Sequence, residues 1–296
     1  MKKISSNIHG RVIALKANYY IVETEDFPKK IENFLCICRK KLSFHGEFAC
    51  VGDFVELEEI DWDRKRATIC SIKPRLNLIE RPLVANLTDL LVVLSATEPK
   101  FDFDQATRFL ITAEKENIRV SLIITKSDIV NRNELENIIN RIECWGYKPH
   151  VISTKTGEGI EELINNFIDY TLAVLCGPSG VGKSSFLKFL LPNEQFLVSA
   201  VSTKLLRGKN TTRNVQLYRL KENLIIADTP GFNRPELNIK PNKLSLLFPE
   251  IRFLLKNKYC KFRNCLHRDE PGCMLDKNWE RYPFYLSLLD EMLNHP

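Results

Sequence analysis

The first 73 residues consist of short apolar runs separated by polar or turn-prone residues. Runs of about four to eight residues that are rich in β-branched and aromatic side chains are typical of β-strands. Such runs occur at Arg11–Leu15, Tyr19–Glu23, Phe34–Cys38, Phe54–Leu57 and Ala67–Ile72. Five short strands in a segment of this size predict a small closed β-barrel. An OB-fold is one such barrel, and other small barrels fit the pattern equally well.

From residue 74 onward, nearly continuous apolar runs alternate with segments of helical spacing. The runs predict strands buried on both faces, at Leu90–Ser95, Val120–Thr125, Leu172–Cys176 and Leu224–Asp228, with further strands at Val151–Ser153 and Val215–Leu220. The helical spacing predicts helices at Asp104–Asn117, Glu134–Trp145, Gly159–Tyr170 and Ser185–Leu191. Alternation of this kind indicates an α/β domain with a mostly parallel sheet.

The last segment has a third character. Helical spacing at Leu244–Phe248, Ile251–Lys256 and Tyr282–Leu293 flanks a stretch rich in Cys and His. The chain is therefore predicted to be a multidomain α/β protein. Its parts are an OB-like barrel in residues 1–73, an α/β domain with its linker in residues 74–232, and an α-helical metal-binding domain in residues 233–296.

Composition narrows the class of protein only slightly. The chain has 296 residues, 44% of them apolar, which supports a folded core. No apolar run reaches the roughly 18 residues of a membrane span, and the start lacks the apolar stretch of a secretory signal, so we expect a cytoplasmic protein with no membrane partner. The net charge of +6 is compatible with a nucleic-acid partner and equally with ordinary surface charge. An odd count of nine cysteines argues against a disulfide framework.

One segment matches the phosphate-binding pattern G-x-x-x-x-G-K-[ST] in full. It comprises Gly177, Pro178, Ser179, Gly180, Val181, Gly182, Lys183 and Ser184, followed by Ser185 at the start of a predicted helix. Glycines let backbone N–H groups turn toward phosphate oxygens, Lys183 supplies a cation to the β and γ oxygens, and the Ser184 hydroxyl binds Mg²⁺. A buried strand before the loop and a helix after it are the context that this function requires.

Two further segments resemble the guanine-recognition motifs of GTPases. Thr125, Lys126, Ser127 and Asp128 follow a buried strand and resemble [NT]-K-x-D. A carboxylate such as Asp128 can accept both N1–H and N2–H₂ of guanine, and adenine lacks this donor pair. Thr125 stands where Asn is more usual, which we expect to cost one side-chain contact. The second segment, Ser153, Thr154 and Lys155, resembles the S-A-K element that contacts the guanine oxygen.

Magnesium and γ-phosphate contacts are predicted in two segments that follow the phosphate loop. Asp228 to Gly231 (Asp-Thr-Pro-Gly) resembles D-x-x-G, in which the Asp reaches Mg²⁺ through water and the Gly N–H senses the γ-phosphate. Between the two motifs, Thr211 and Thr212 lie where a switch loop supplies a Mg²⁺-binding Thr. We predict that Thr212 has this role, with Thr211 as the alternative.

A possible zinc site is encoded within residues 260–273. Three thiols and one imidazole, from Cys260, Cys265, His267 and Cys273, suit tetrahedral Zn²⁺. The alternative is a cluster of buried thiols beside a surface histidine. With four protein ligands, the metal would be structural and not catalytic. Basic residues surround the cluster, and on charge alone they fit a solvated face as well as an RNA-binding surface.

The order of these motifs differs from that of an ordinary small GTPase, because the guanine motifs precede the phosphate loop. This order indicates a circularly permuted domain. With this motif order, with the segment Arg81–Asn86 and with the Cys/His spacing, the sequence resembles the ribosome small subunit-dependent GTPase A (RsgA) family over nearly the whole chain. The resemblance implies an OB-fold barrel, a zinc domain, and GTP hydrolysis stimulated by the small ribosomal subunit late in its maturation. It also implies rRNA binding, and we expect a monomer.

The sequence departs from most small GTPases at the position of the water-orienting Gln, where Phe232 stands. In the family a His that precedes the paired Thr is a candidate for this role, and here that position is Asn210. Three alternatives remain: an ATPase, a GTPase that serves a membrane or metal-delivery partner, and an RNA-binding assembly factor with little turnover of its own. Asp128 argues against the first, and no basic amphipathic helix or His tract supports the second.

Overall fold

The computed structural model describes residues 8–16, 19–26, 30–39, 42, 48–80, 83–167, 172–191, 215–221, 224–228, 232 and 234–294. The chain packs into two compact units that are each assembled from separate stretches. The first unit contains residues 1–89, 167–176 and 187–232, and the second contains residues 90–166, 177–186 and 233–296. Among the described residues, no helix has the length and apolar character needed to cross a membrane.

The N-terminal strands close into a five-stranded barrel in the first unit, as the sequence predicted. Around the barrel the order is β1-β2-β3-β5-β4, with antiparallel pairs except for the parallel pair of β3 and β5. The strands are β1 (Ile8–Lys16), β2 (Tyr19–Asp26), β3 (Lys30–Cys38), β4 (Phe54–Asp61) and β5 (Arg66–Ile72). Alternate residues of each strand point inward, so Val12, Val22, Phe34, Val55 and Ile69 form the barrel core.

A short hairpin follows the barrel in the segment predicted to be a linker. It consists of β6 (Leu78–Glu80) and β7 (Leu83–Ala85). The Gly52 carbonyl accepts from Asn86 Nδ2 at 3.1 Å, and the Arg11 guanidinium donates to the Asn86 carbonyl at 3.1 Å. Gly52 has φ +92°, and a Cβ there would lie 2.0 Å from the Ala85 carbonyl oxygen. These contacts fasten the hairpin to the barrel and give Asn86 a structural role.

Three more strands lie in the first unit. They are β11 (Leu172–Cys176), β12 (Gln216–Lys221) and β13 (Leu224–Asp228). β13 is parallel to β11 and antiparallel to β12, so the predicted strands at Val215–Leu220 and Leu224–Asp228 do form a pair. Every residue of β11 is buried, in keeping with its wholly apolar sequence.

The second unit is an α/β arrangement in which β10, β9 and β8 are neighbours in that order. Its strands are β8 (Asp89–Ser95), β9 (Arg119–Thr125) and β10 (His150–Val151), and its helices here are α1 (Phe103–Glu116), α2 (Arg132–Cys144) and α3 (Ile160–Asn165). A further helix, α4 (Lys183–Leu190), begins in this unit, to which its residues 183–186 belong. The predicted helix Gly159–Tyr170 was too long, because α3 ends where Asn165 and Asn166 follow each other. Asn side chains compete with helical hydrogen bonds and favour helix ends.

The C-terminal segment packs on α1 within the same unit. It contains α5 (Pro241–Leu244), a 3₁₀ turn (Ser245–Leu247), α6 (Pro249–Leu254) and α7 (Tyr282–Asn294). Pro249 is the first residue of α6 and separates that helix from the preceding 3₁₀ turn. The helix predicted at Leu244–Phe248 is observed as the last residue of α5 followed by this turn. Ile111 of α1 belongs to the same apolar cluster as Phe248, Tyr285 and Leu288, so this segment and α1 share one core.

Candidate nucleotide-binding site and metal centre

The predicted phosphate loop joins the end of β11 to the start of α4. Gly177 has φ +136°, and a Cβ at this position would lie 2.1 Å from the Val93 carbonyl oxygen, so only glycine fits beside β8. Ser179, Gly180, Ser184 and Ser185 are exposed, which leaves one side of the loop open. Because α4 begins at Lys183, the loop presents the N-terminal N–H groups of a helix, an arrangement suited to phosphate.

Lys183 folds back over the loop. Its Nζ donates to the carbonyl oxygens of Gly177 at 2.7 Å and Pro178 at 2.6 Å. These bonds hold the ammonium group against the loop, close to the start of α4. A phosphate bound there would meet both the fixed dipoles and the cation.

Thr125 connects the guanine motif to the phosphate loop. Its side chain is buried, and its hydroxyl lies 2.5 Å from the Val181 carbonyl oxygen, to which it donates. The Ala96 N–H in turn donates to the Thr125 carbonyl at 3.0 Å. Thr in place of Asn therefore still makes a side-chain contact with the phosphate loop.

We expect Thr125→Val to weaken GDP binding by roughly tenfold. Valine has nearly the shape of threonine but leaves the buried Val181 carbonyl without its donor, a loss of about 1–3 kcal/mol. Equilibrium titration with a fluorescent GDP analogue measures the change. Thr125→Ser is the matched control, because serine keeps the hydroxyl and should bind within about twofold of the parent. Weakening in Thr125→Ser with parental affinity in Thr125→Val would show that the methyl group, not the hydroxyl, matters.

The two guanine segments meet through Asp128 and Ser153. The Ser153 hydroxyl donates to Asp128 Oδ1 at 2.7 Å, and it accepts the backbone N–H groups of Lys155 at 3.2 Å and Thr156 at 3.1 Å. Ser153 is fully buried, whereas the Asp128 side chain is exposed. This arrangement turns one carboxylate edge toward Ser153 and leaves the rest of the group available to a base.

Lys126 and its neighbours form the turn that presents Asp128. Lys126 has φ +62°, and its Nζ donates to the Glu98 carbonyl oxygen, which stretches the aliphatic stem along the turn. Such a stem can support a flat base from one side. Ser127 and Thr154 are both at intermediate exposure.

Several predicted site residues lie outside the described residues: Asn210, Thr211, Thr212 and Gly231. Asp228 is the last residue of β13, where its backbone pairs with Leu175 in β11. This pairing brings the end of β13 beside the strand that leads into the phosphate loop. Phe232 is buried, with 4% of its surface exposed.

The predicted metal ligands converge on a single point. Sγ of Cys260 and of Cys273 lies 3.6 Å from His267 Nδ1, Sγ of Cys265 lies 3.7 Å from it, and Sγ of Cys260 and Cys273 are 4.0 Å apart. Tetrahedral Zn²⁺ with bonds of about 2.3 Å to sulfur and about 2.0 Å to nitrogen places these atoms about 3.5–3.8 Å apart. In the part of the chain that the structure describes, this is the group of Cys, His and acidic residues that fits a metal.

Burial also shapes the electrostatics of the cluster. Together with bonds from the neighbouring thiols, it raises the pKa of Cys265 to about 12, and a bound cation would lower that pKa by stabilising the thiolate. Burial lowers the pKa of His267, which keeps the imidazole neutral and able to bind a metal. The carboxylate of Glu270 accepts the N–H groups of Leu266 at 2.7 Å and Arg268 at 2.8 Å, which shapes the loop around His267.

Sequence reasoning missed the residues that support the metal loop from behind. Tyr285 Oη donates to the Leu266 carbonyl at 2.5 Å, and Tyr282 Oη donates to the His267 carbonyl at 3.0 Å. Both tyrosines come from α7. Their spacing of three residues places them on one helical face, but that pattern alone is also the pattern of ordinary core packing.

A phosphate loop that follows its guanine motif in the chain defines a circularly permuted P-loop GTPase. Its family follows from comparison with known proteins. A family model described as RsgA GTPase matches residues 65–238. The chain is 47% identical to the small ribosomal subunit biogenesis GTPase RsgA of Prochlorococcus marinus strain NATL1A, over 100% of this chain and 97% of that protein. The chain therefore belongs to the RsgA GTPase family, and it is a GTP hydrolase.

Other relatives and solved structures agree. The protein of the same name from Synechococcus sp. strain CC9311 is 45% identical, over 96% of this chain and 94% of that protein. The crystal structure of YjeQ from Thermotoga maritima superposes with a TM-score of 0.82 at 29% identity, covering 98% of this chain and 100% of that one. The structure of YloQ, described as a circularly permuted GTPase, gives a TM-score of 0.79 at 26% identity, covering 100% of this chain and 98% of that one.

Proposed function

We propose that this GTPase acts in late maturation of the small ribosomal subunit, that the subunit stimulates its GTP hydrolysis, and that it binds the subunit's rRNA. The observation that carries the proposal is the match, over the whole chain, to relatives named small ribosomal subunit biogenesis GTPase RsgA. We further propose a cytoplasmic monomer with an OB-like barrel in residues 1–73, a permuted GTPase domain in residues 74–232 and a zinc domain in residues 233–296.

Each nucleotide contact has a proposed residue. Asp128 accepts from the guanine edge, supported by Ser153, and the backbone of Thr154 and Lys155 approaches the guanine oxygen. Lys183 neutralises the β and γ oxygens, while Mg²⁺ is held by three oxygen-bearing side chains, a donor set that suits a hard cation. These are Ser184, Thr212 and Asp228. The Gly231 N–H senses the γ-phosphate.

The attacking water needs a partner other than Phe232, because a phenyl ring cannot form the hydrogen bonds that orient it. We propose Asn210, whose amide can orient a water but cannot act as a base. If so, Asn210→Ala lowers subunit-stimulated turnover and leaves GDP affinity unchanged. An unchanged turnover rate would remove Asn210 from the mechanism.

The basic surface near the metal centre is the proposed RNA contact in the C-terminal segment. Lys256, Lys258, Lys261 and Arg263 are all exposed, and Arg268 lies beside them at intermediate exposure. Two aromatic side chains stand out among them, because Tyr259 is 87% exposed and Phe262 is 44% exposed. Exposed aromatic rings among positive charges suit unpaired bases and phosphates together.

We expect the double variant Lys258→Glu and Arg263→Glu to weaken small-subunit binding by at least tenfold and to reduce its dependence on salt. Each lost phosphate contact lowers the slope of affinity against salt by about one. Co-sedimentation at several potassium concentrations measures both quantities. Lys243→Glu is the control, since it makes the same kind of charge change on an exposed lysine of the same segment. Equal losses in the control and the double variant would exclude a localised contact.

Hydrolysis measured with purified small subunits, with large subunits and with neither tests the proposal as a whole. We expect stimulation by the small subunit alone. The alternative is a nucleotide-regulated RNA-binding assembly factor with little turnover of its own, and Phe232 in the place of the usual Gln favours it. Under that alternative, small subunits bind the GTP form tightly without raising turnover.

A further inference from the structure

The two guanine segments are joined by one stretch of chain, and the middle of that stretch is held by the C-terminal segment. After Asp128 the chain forms α2, turns at residues 145–148, and returns through β10 to Ser153. Trp145, at the end of α2, is 1% exposed. Its Nε1 donates to Glu280 Oε2 at 2.8 Å, and the other oxygen of Glu280 accepts from Arg141 in the last turn of α2.

Arg281, the residue after Glu280, contacts the same turn through its aromatic residues. Its side chain is fully buried, and it pairs with Glu250 through two bonds of 2.6 Å each. The guanidinium lies 4.9 Å from the ring centroid of Trp145 and 5.7 Å from that of Tyr147. A planar cation stacked on aromatic rings and fixed by a bidentate carboxylate has one preferred geometry, so it defines where the turn lies.

A second link reaches the turn through α1. Tyr147 Oη donates to Glu114 Oε1 at 3.0 Å, and the other Glu114 oxygen accepts from Arg252 of α6 at 2.8 Å. Glu114 thus bridges the turn and the C-terminal segment. The turn is contacted by Glu280, Arg281 and Glu114, while the exposed side of α2 carries a surface ion pair between Arg132 and Glu136.

We propose that Glu280 and Arg281 are positioning residues for guanine recognition, acting through the turn at residues 145–148. α2 is 13 residues long and therefore about 20 Å from end to end. If the end at Trp145 is released, a tilt of about 3° about the other end moves the released end, and the chain that leads from it into β10, by about 1 Å, a displacement large enough to spoil a directional contact. α2 begins four residues after Asp128, and β10 ends two residues before Ser153, so both halves of the guanine site depend on this turn.

The inference rests on the proposed guanine site. A comparison of two nucleotides that differ only in the base tests the inference separately from the site itself. Inosine diphosphate lacks the 2-amino group of GDP but is otherwise the same ligand, so the ratio of the two affinities reports on the edge that Asp128 reads. We expect Glu280→Ala to narrow the GDP preference over inosine diphosphate by about three- to tenfold, with bound metal unchanged. Loss of overall fold would instead lower the active fraction and leave the ratio alone.

Trp145→Phe is the second variant, because it keeps an aromatic ring on Arg281 and removes only the N–H donor to Glu280. It should also narrow the preference for GDP over inosine diphosphate. The double variant that combines Glu280→Ala with Trp145→Phe should narrow this preference little more than either single variant, as expected for two partners of one contact. Glu136→Ala on the exposed side of α2 is the control and should keep the parental ratio. Competition against a fluorescent GDP analogue gives all the affinities.

One outcome overturns the proposal: Glu280→Ala and Trp145→Phe keep the parental ratio, whether the two affinities stay unchanged or fall equally. If the parent itself does not prefer GDP to inosine diphosphate, the proposed guanine site fails, and this result is distinct from the first. If Glu280→Ala does not fold with its metal, Trp145→Phe decides the question alone.

Discussion

Asp128→Asn should convert the protein from a guanine to a xanthine nucleotide binder. The carboxylate of Asp128 is proposed to accept N1–H and N2–H₂ of guanine. An amide offers one acceptor and one donor, so its NH₂ group would face the guanine amino group, donor against donor. Xanthine carries an oxygen in place of that amino group and restores the match. We expect GDP affinity to fall by about 10³–10⁴-fold, the scale on which sites built for specific hydrogen bonds reject a mismatched ligand.

Ser153 fixes which way the new amide would point. Its hydroxyl oxygen already accepts two backbone N–H groups, so its own proton must be donated to the side chain at position 128. The introduced amide would therefore turn its oxygen toward Ser153 and its NH₂ group toward the base. Titrations with GDP and with xanthosine diphosphate measure the switch. Asp128→Ala should lose GDP without gaining the xanthine nucleotide, and a similar loss of both ligands in Asp128→Asn would contradict this assignment.

The fold was predictable where local pattern and packing agree. Short runs of β-branched and aromatic residues in the first 73 positions predicted the barrel, and each run lies in one of its five strands. The hairpin of β6 and β7 was missed, since three-residue strands are too short to show a period. Its existence depends on distant contacts, in which Gly52 and Arg11 of the barrel hold Asn86.

The candidate site likewise has a part that the sequence could predict and a part that it could not. The phosphate loop, the guanine motif and the Cys/His cluster are contiguous segments whose chemistry depends on residue type and spacing, so the sequence was sufficient to find them. The support of these segments was not visible. The contact between Thr125 and Val181 and the burial of Arg281 among aromatic rings join residues that are far apart in sequence. One sequence without a structure offers no signal for such pairs.

Removal of the metal should unfold the C-terminal segment. Its helices α5 and α6 have four and six residues, far below the about 12–15 residues at which an isolated helix becomes even marginally stable in water. The ligand loop is part of the core that holds them, because Leu266, Cys273 and Leu275 pack in the cluster around Tyr285. Structural zinc contributes about 10–16 kcal/mol to small zinc-finger peptides, and half of that already rivals the stability of a typical domain, about 5–15 kcal/mol.

Cys265→Ser, or the parent treated with a strong chelator, should therefore lose about one equivalent of zinc per chain and the hydrogen-exchange protection of residues 234–294. The barrel, with its own core, should keep its protection. Elemental analysis and exchange mass spectrometry measure the two effects on one sample. Cys144→Ser is the matched control, since Cys144 is exposed and lies outside the cluster. Full protection of residues 260–273 in zinc-free protein would contradict a structural metal, because the buried thiols alone would then be enough to hold the loop.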